Sequence, residues 1–271
     1  MDDIDRFLEE DLDKIGDITS ESLFSDEKAK ALIIAKESCI IAGLAEAKIV
    51  FSKLGAEFFF IKKDGDSVNK NTIVAEIFGP AKSILTAERL ALNFVCKMSG
   101  IATETKKLIE LCKAKNPTIK IAATRKTTPG FRKYEKKAVE VAGGDPHRIG
   151  LYDEVMIKDN HLKLVGNVEK AITMVKQKIK DKIIEVEVEN ETDAITAAKL
   201  DVDVIMLDNF LPENAEIISK KIRKINPKIL IEISGGINKE NIIKYASFSD
   251  RISIGYLTHS IKSINFSLDI I

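Results

Sequence analysis

The chain has 271 residues, enough for one large or two modest domains with a real core. Lys+Arg and Asp+Glu both number 42, so no global field favours nucleic acid or an anionic membrane, and any affinity for anions must be local. Cys39, Cys96 and Cys112 stand far apart with no CxxC, which points to a reduced cytoplasmic protein without disulfides or structural zinc.

The opening Met1-Asp2-Asp3-Ile4-Asp5 is acidic, unlike a signal or transit peptide, and no apolar run approaches the ~20 residues of a membrane span. Strand-like runs then dominate, at 31–36, 39–42, 57–61 and 72–78, and a Lys63-Asp64-Gly65-Asp66 turn separates the last two as in a hairpin. Asp64–Val68 and Ile77-Phe78-Gly79 echo the sandwich of biotinyl and lipoyl carriers, but the lysine hairpin of those carriers is absent. A helix is expected over 87–98. From residue 102 the texture becomes βα alternation: strands at 119–124, 154–157, 183–188, 204–207, 229–233 and 251–254. Helices at 103–114, 134–141, 168–178, 192–200, 212–225 and 239–245 separate them. These strands are fewer than a closed TIM barrel needs, and the glycine loops come late. An open, incomplete α/β barrel over 102–261 is therefore expected behind an α/β sandwich domain over 1–101, to which 262–271 returns.

The strand ends carry the chemistry, because the carboxyl ends of parallel strands form the active-site rim of such folds. Thr124-Arg125-Lys126-Thr127-Thr128-Pro129-Gly130 places cations and hydroxyls after one strand, His147-Arg148 follows a glycine turn, and Lys158 ends another strand. Arg can fork a carboxylate or phosphate, and Lys adds a mobile point charge. Each alone reads as a solvated surface charge; together on one rim they read as an anion site. Alternation in Glu185-Val186-Glu187-Val188-Glu189 puts all three acids on one sheet face, a costly arrangement unless cations pair with them. Glu187 and Asp208 end neighbouring strands and suit either Mg²⁺ or ribose hydroxyls. Ser234-Gly235-Gly236 and the Gly255-Tyr256 turn offer backbone amides to phosphate. The spacing of His147, His161 and His259 excludes a zinc site. His147 reads as a substrate contact or proton donor, and the other two as satisfied loop histidines.

These segments resemble the quinolinate phosphoribosyltransferases over nearly the whole chain. The resemblance runs through Gly16-Asp17-Ile18-Thr19, Ala87-Glu88-Arg89-Leu90-Ala91-Leu92-Asn93, Thr124–Gly130, His147-Arg148, Ile157-Lys158-Asp159-Asn160-His161, Leu207-Asp208-Asn209 and Leu257-Thr258-His259-Ser260. Molybdenum-transport relatives share the Thr-Arg-Lys-Thr start but lack the Lys-Asp-Asn-His run, so Thr128 and Lys158–His161 group the chain with the quinolinate enzymes.

The resemblance implies decarboxylating transfer of a phosphoribosyl group to quinolinate with Mg²⁺, in a homodimer or higher homo-oligomer whose site takes Arg89 from the partner. Arg89, Arg125, His147, Arg148 and Lys158 would grip the dicarboxylate. Lys126 and Thr127 would reach both substrates, Glu187 and Asp208 would hold ribose or Mg²⁺, and Ser234, Gly235, Gly236, Gly255 and Tyr256 would face phosphate. Tyr256 departs from the small or unbranched residue usual there. A phosphoribosyltransferase for nicotinate itself, or a phosphate-binding barrel without turnover, are the alternatives; Arg89, Arg125 and Arg148 are more cations than one carboxylate needs.

Overall fold

The computed structural model describes residues 2–271. It divides into two compact units. One takes in the chain up to Lys106 together with Lys137–Ala142 and Ser260–Ile271; the other takes Lys107–Lys136 and Gly143–His259. The border between them falls at Lys106/Lys107, inside a helix.

The first unit opens with α1 (Asp3–Leu12) and α2 (Ile18–Leu23). Asp2 and Asp5 cap α1 reciprocally: Asp5 N–H donates to Asp2 Oδ1 at 2.9 Å, and Asp2 N–H donates to Asp5 Oδ2 at 3.1 Å. Asp17 caps α2 through the amides of Thr19 and Ser20. The acidic leader is thus cap chemistry. Next come β1 (Lys28–Ala35), β2 (Cys39–Ile40), α3 (Leu44–Lys53), β3 (Glu57–Phe60), β4 (Ser67–Val68) and β5 (Ile73–Pro80). β3 and β5 pair antiparallel as the hairpin reading predicts, but the connection is longer and carries β4, which pairs with β2 in a separate ribbon. The main sheet has the order β12-β1-β5-β3, with β12 (Phe266–Ile270) bringing the C-terminal segment against β1. Ala31, Ile33 and Ala35 alternate into the core from β1.

Two expected helices, 87–98 and 103–114, are one: α4 runs Ala81–Lys113, 33 residues. Gly100 does not break it. A Cβ there would meet Lys262 O at 2.5 Å and Ile261 Cγ2 at 3.0 Å, so this glycine serves close approach of the C-terminal segment.

In the second unit the strands are β6 (Lys120–Ala123), β7 (Val155–Ile157), β8 (Ile184–Val188), β9 (Val204–Asp208), β10 (Leu230–Ser234) and β11 (Arg251–Ile254). They pair parallel in the order β6-β11-β10-β9-β8-β7, with β6 and β7 left at the two ends. The barrel is therefore open, as expected. On the free side of β6 a single parallel bridge, Ala122 with Asp145, stands where a further strand would pair. The intervening helices are α5 (Arg132–Val141), α6 (Asp159–Val165), α7 (Val168–Lys178), α8 (Glu191–Lys199) and α9 (Pro212–Ile225), followed after β11 by the short α10 (Tyr256–His259).

A helix expected at 239–245 is only a 3-10 turn, Ile242–Lys244. Asn238 Oδ1 accepts from the amides of Glu240 and Asn241, and Asn241 Oδ1 from that of Asn238, so side chains compete with helical pairing. Glu189 also departs from expectation. β8 ends at Val188, and Glu189 lies beyond it in solvent, so Glu185 and Glu187 alone face the interior.

Candidate active site

The carboxyl ends of the six parallel strands surround a cavity of about 440 Å³, lined by side chains of the second unit alone. That is the size class of a small-ligand site. One wall is cationic. Arg125 and Lys126 follow β6, and Arg148 follows the Asp145 bridge; all three line the cavity. Lys126 is held by its backbone: its N–H donates to Thr124 Oγ1 at 3.1 Å, and its carbonyl accepts from Thr258 Oγ1 at 2.7 Å. Gly255 gives its side chain room, since a Cβ there would meet Lys126 Cδ at 3.1 Å.

Arg148 is buried, yet its hydrogen-bond partners are weak: the Glu154 carbonyl at 3.5 Å and Met156 Sδ at 3.4 Å. Burial, then the neighbouring Arg125 guanidinium, draw its pKa below the usual guanidinium range. The buried Nε atoms of Arg125 and Arg148 both lack a protein partner. Among the described residues, Arg125, Lys126 and Arg148 make no ion pair with a carboxylate. Of the three only Arg148 is buried, and a buried cation without a directly bonded anion is costly. This wall is built for an anionic ligand.

The facing wall is acidic. Lys158 caps the start of α6, with its N–H donating to His161 Nδ1 at 2.9 Å, and its Nζ bonds Glu187 Oε2. His161 is thus a cap that sets Lys158, in keeping with a satisfied loop histidine. Asp208 ends β9, and Asn209 Nδ2 donates to its Oδ2 at 2.6 Å. Asn209 and Gly235 are both left-handed, at φ 59° and 86°. Ser234 and Ser253 complete this part of the lining.

Two residues earlier on the same strands lies a buried charge network. Arg251 bonds Glu232, and through Nη2 Glu185 Oε2 at 3.1 Å; Ser253 Oγ also bonds Glu232. His147 Nε2 lies 3.4 Å from Glu185, and its Nδ1 lies 3.6 Å from Glu154. Burial, then Arg251, push the His147 pKa down to about 3, and burial, then Glu232, raise that of Glu185 well above the carboxylate range. Both shifts favour the uncharged forms of His147 and Glu185. Both ring nitrogens of His147 are closed to solvent. His147 lines the cavity, but its nitrogens turn inward, away from the substrate-contact or proton-donor role read from the sequence.

His147, Glu154 and Glu185 bring ligand atoms within 4.8 Å of one another. Arg251 already claims Glu185, so the group reads as a charge network rather than a metal cage. Glu187 and Asp208 offer hard oxygen donors from adjacent strands to the open cavity. That pair fits Mg²⁺ whose remaining ligands are substrate oxygens and waters.

Other expected residues lie outside this lining. Thr127 Oγ1 accepts from Arg132 Nε at 3.0 Å. Gly235, Gly236 and Gly255 belong to the adjoining turns, and Tyr256 opens α10. Arg89 sits on α4 in the first unit, its side chain 68% exposed. Residues the sequence reading passed over are Lys136, Asp145, Glu154, Glu232, Arg251 and Ser253. An acid inside the apolar run Leu230-Ile231-Glu232-Ile233 was the available signal for Glu232: a central parallel strand has no polar face.

An open α/β barrel with unpaired cations facing acids and glycine turns defines a transferase-type site for a polyanionic substrate. Family models agree. The N-terminal domain of quinolinate phosphoribosyl transferase matches residues 17–99 and its C-terminal domain residues 101–269. The chain belongs to the quinolinate phosphoribosyl transferase family. It is 42% identical over 259 residues to the probable nicotinate-nucleotide pyrophosphorylase (carboxylating) of Archaeoglobus fulgidus, covering 94% of this chain and 98% of that one. The Bacillus subtilis protein of the same name is 40% identical, with 98% and 92% covered. The solved nicotinate-nucleotide pyrophosphorylase of Francisella tularensis superposes with a TM-score of 0.92 at 38% identity, covering 99% of this chain and 94% of that one.

Proposed function

We propose that this enzyme transfers the phosphoribosyl group of phosphoribosyl pyrophosphate to quinolinate. The products are nicotinate mononucleotide, pyrophosphate and CO₂, in NAD biosynthesis. The observation that carries the reading is the wall formed by Arg125, Lys126 and Arg148, which make no ion pair with a carboxylate among the described residues, in a cavity of small-ligand size. Quinolinate is a pyridine dicarboxylate, and two carboxylates are what such a wall can neutralise.

The residues then divide the work. Arg125 and Arg148 hold the carboxylates and orient the ring nitrogen toward the anomeric carbon. Lys126 stands between the dicarboxylate and the departing pyrophosphate. Glu187, tethered to Lys158, and Asp208, tethered to Asn209, receive the ribose hydroxyls or would hold a Mg²⁺, which would neutralise charge on the leaving pyrophosphate. The turns at Ser234–Gly236 and Gly255-Tyr256 offer amides to the 5′-phosphate. Positioning and preorganised charge lower the barrier around an oxocarbenium-like centre. The pyridine nitrogen becomes cationic on ribosylation, the C2–carboxylate bond breaks with loss of CO₂, and the electron pair left at C2 is stabilised by that charge until a proton replaces it.

The working unit is proposed to be a homodimer in which Arg89 of one chain completes the dicarboxylate site of the other; its exposed guanidinium is available for that use. A cytoplasmic location accords with free Cys39, Cys96 and Cys112. No helix among the described residues is long and apolar enough to cross a membrane. Assay with quinolinate, phosphoribosyl pyrophosphate and Mg²⁺, following CO₂ and nicotinate mononucleotide, tests the reading. Equal turnover of nicotinate, or no product, would overturn it.

A further inference from the structure

The barrel's open side poses a problem of aim. Arg148 and His147 hang from the segment that stands beside β6, and that segment pairs at one residue only. Ala123 N–H donates to the Asp145 carbonyl at 2.9 Å, and Asp145 N–H to the Ile121 carbonyl at 2.8 Å. Pro146 follows and has no N–H, so the ladder stops there. His147 then takes φ 50°, a left-handed conformation that a non-glycine residue holds only when its surroundings enforce it. Its N–H donates to Asp145 Oδ1 at 2.7 Å.

The Pro146 carbonyl, freed from any ladder, is taken by Lys136 Nζ. Lys136 projects from α5 and is 1% exposed. It does not line the cavity. A fully buried lysine with a backbone carbonyl as its acceptor is an expensive choice for a core position, where an apolar residue of similar volume would serve packing alone. Burial, then the Arg132 guanidinium, push its pKa down to about 8, with Asp145 opposing. Its ammonium also adds positive charge behind Arg125 and Arg148.

We propose that Lys136 is a positioning residue for dicarboxylate binding: by holding the Pro146 carbonyl it fixes the turn at His147 and so aims Arg148 into the cavity. The proposal rests on quinolinate being the substrate. It separates the two substrates, because the segment it holds bears a dicarboxylate contact and none of the acids or turns assigned to the phosphoribosyl group.

The test compares Lys136→Met, Lys136→Gln and Lys136→Arg with the wild-type enzyme, measuring KM for each substrate separately and kcat. Lys136→Met is expected to raise the quinolinate KM by about tenfold or more, the scale of one lost charge-assisted contact, while that for phosphoribosyl pyrophosphate stays within about twofold. Lys136→Gln, which keeps a donor without the charge, should fall between, and Lys136→Arg should restore most of the wild-type value. Parallel changes in both KM values, no change in either, or an arginine variant as impaired as the methionine one would overturn the proposal. Should the methionine variant fail to fold, the glutamine variant decides on the same ratio. Failure of all three to fold would make Lys136 a core residue only. The wild-type assay stands apart: no turnover of quinolinate there defeats the substrate reading first.

Discussion

Arg148 contributes most where its charge meets a carboxylate that no protein group supplies. Replacing it with Ala removes a fork from a buried, preorganised position, and hydrogen bonds to charged groups are worth ~1.5–3 kcal/mol, so the quinolinate KM should rise about 10–150-fold. Arg148→Lys should recover only part, because an ammonium cannot fork. Steady-state kinetics with each substrate varied in turn checks this; an equal rise in the KM for phosphoribosyl pyrophosphate would remove Arg148 from the dicarboxylate site. Gly235 acts through shape instead. A Cβ there would meet Asn209 Oδ1 at 2.3 Å and Asn209 N at 2.6 Å, at a φ of 86° that side chains rarely adopt. Gly235→Ala should therefore cost ~1–3 kcal/mol of stability. It should also disturb the Asn209 amide that orients Asp208, raising the KM for phosphoribosyl pyrophosphate more than that for quinolinate. Thermal unfolding and the same kinetics test both parts. At this scale the sequence is legible where a residue follows a strand: Arg125, Lys126, Lys158 and Asp208 are found by position alone. Lys136 is not, since a lysine within a charged helix reads as a solvated face, and only the Pro146 carbonyl reveals its use.

The strands carry these residues in pairs two apart, the second of each lining the cavity: Glu185 and Glu187 on β8, Glu232 and Ser234 on β10, Arg251 and the still buried Ser253 on β11. Alternation along a strand explains the pairing. The sequence reading saw the acids of β8 and required cations for them, but looked for those cations on the rim. The structure supplies Arg251 from inside the barrel, at 3.1 Å from Glu185. No local pattern could show this, because β8 and β11 are brought together only by the curvature of the sheet. The buried set makes a pH prediction. The Glu185 carboxyl, raised by burial and by Glu232, holds its proton in the folded state at pH values where the unfolded carboxyl has lost it. Its contribution to stability is therefore greatest below the ordinary Glu value of about 4.5 and is lost as pH rises. Glu185→Gln mimics the protonated form at every pH. It should lie near wild type in acid and gain on it steadily as pH rises, as read by denaturant unfolding at a series of pH values. A constant difference between the two proteins across that series would mean that Glu185 is ionised in the fold.

For the whole molecule, the open barrel and the smaller α/β unit were legible from the change to βα alternation and from the family motifs. The joins were less so. The long α4 was read as two helices, 87–98 and 103–114, whereas it runs through Gly100, which is small to admit the C-terminal segment. β12, which pairs with β1 in the first unit, shows why truncation at the C-terminus should harm folding there rather than chemistry. The proposed homodimer yields the sharpest test. Arg89 has its side chain 68% exposed and, among the described residues, only Glu88 Oε1, at 4.0 Å, as an ion-pair partner. So loose a surface pair contributes little to stability. Arg89→Ala should therefore leave unfolding unchanged within about 0.5 kcal/mol. If Arg89 serves the neighbouring chain's dicarboxylate site, the same change should abolish most activity. Lys126→Ala should likewise be inactive, for a reason confined to its own cavity. Mixing the two inactive proteins then gives some dimers in which one site has both an intact Lys126 and an intact partner Arg89. With random exchange about half the dimers are mixed and each carries one complete site, so about a quarter of wild-type activity should return. Activity that stays at the level of the separate variants, in mixtures shown by mass to contain mixed dimers, would place Arg89 outside the shared site.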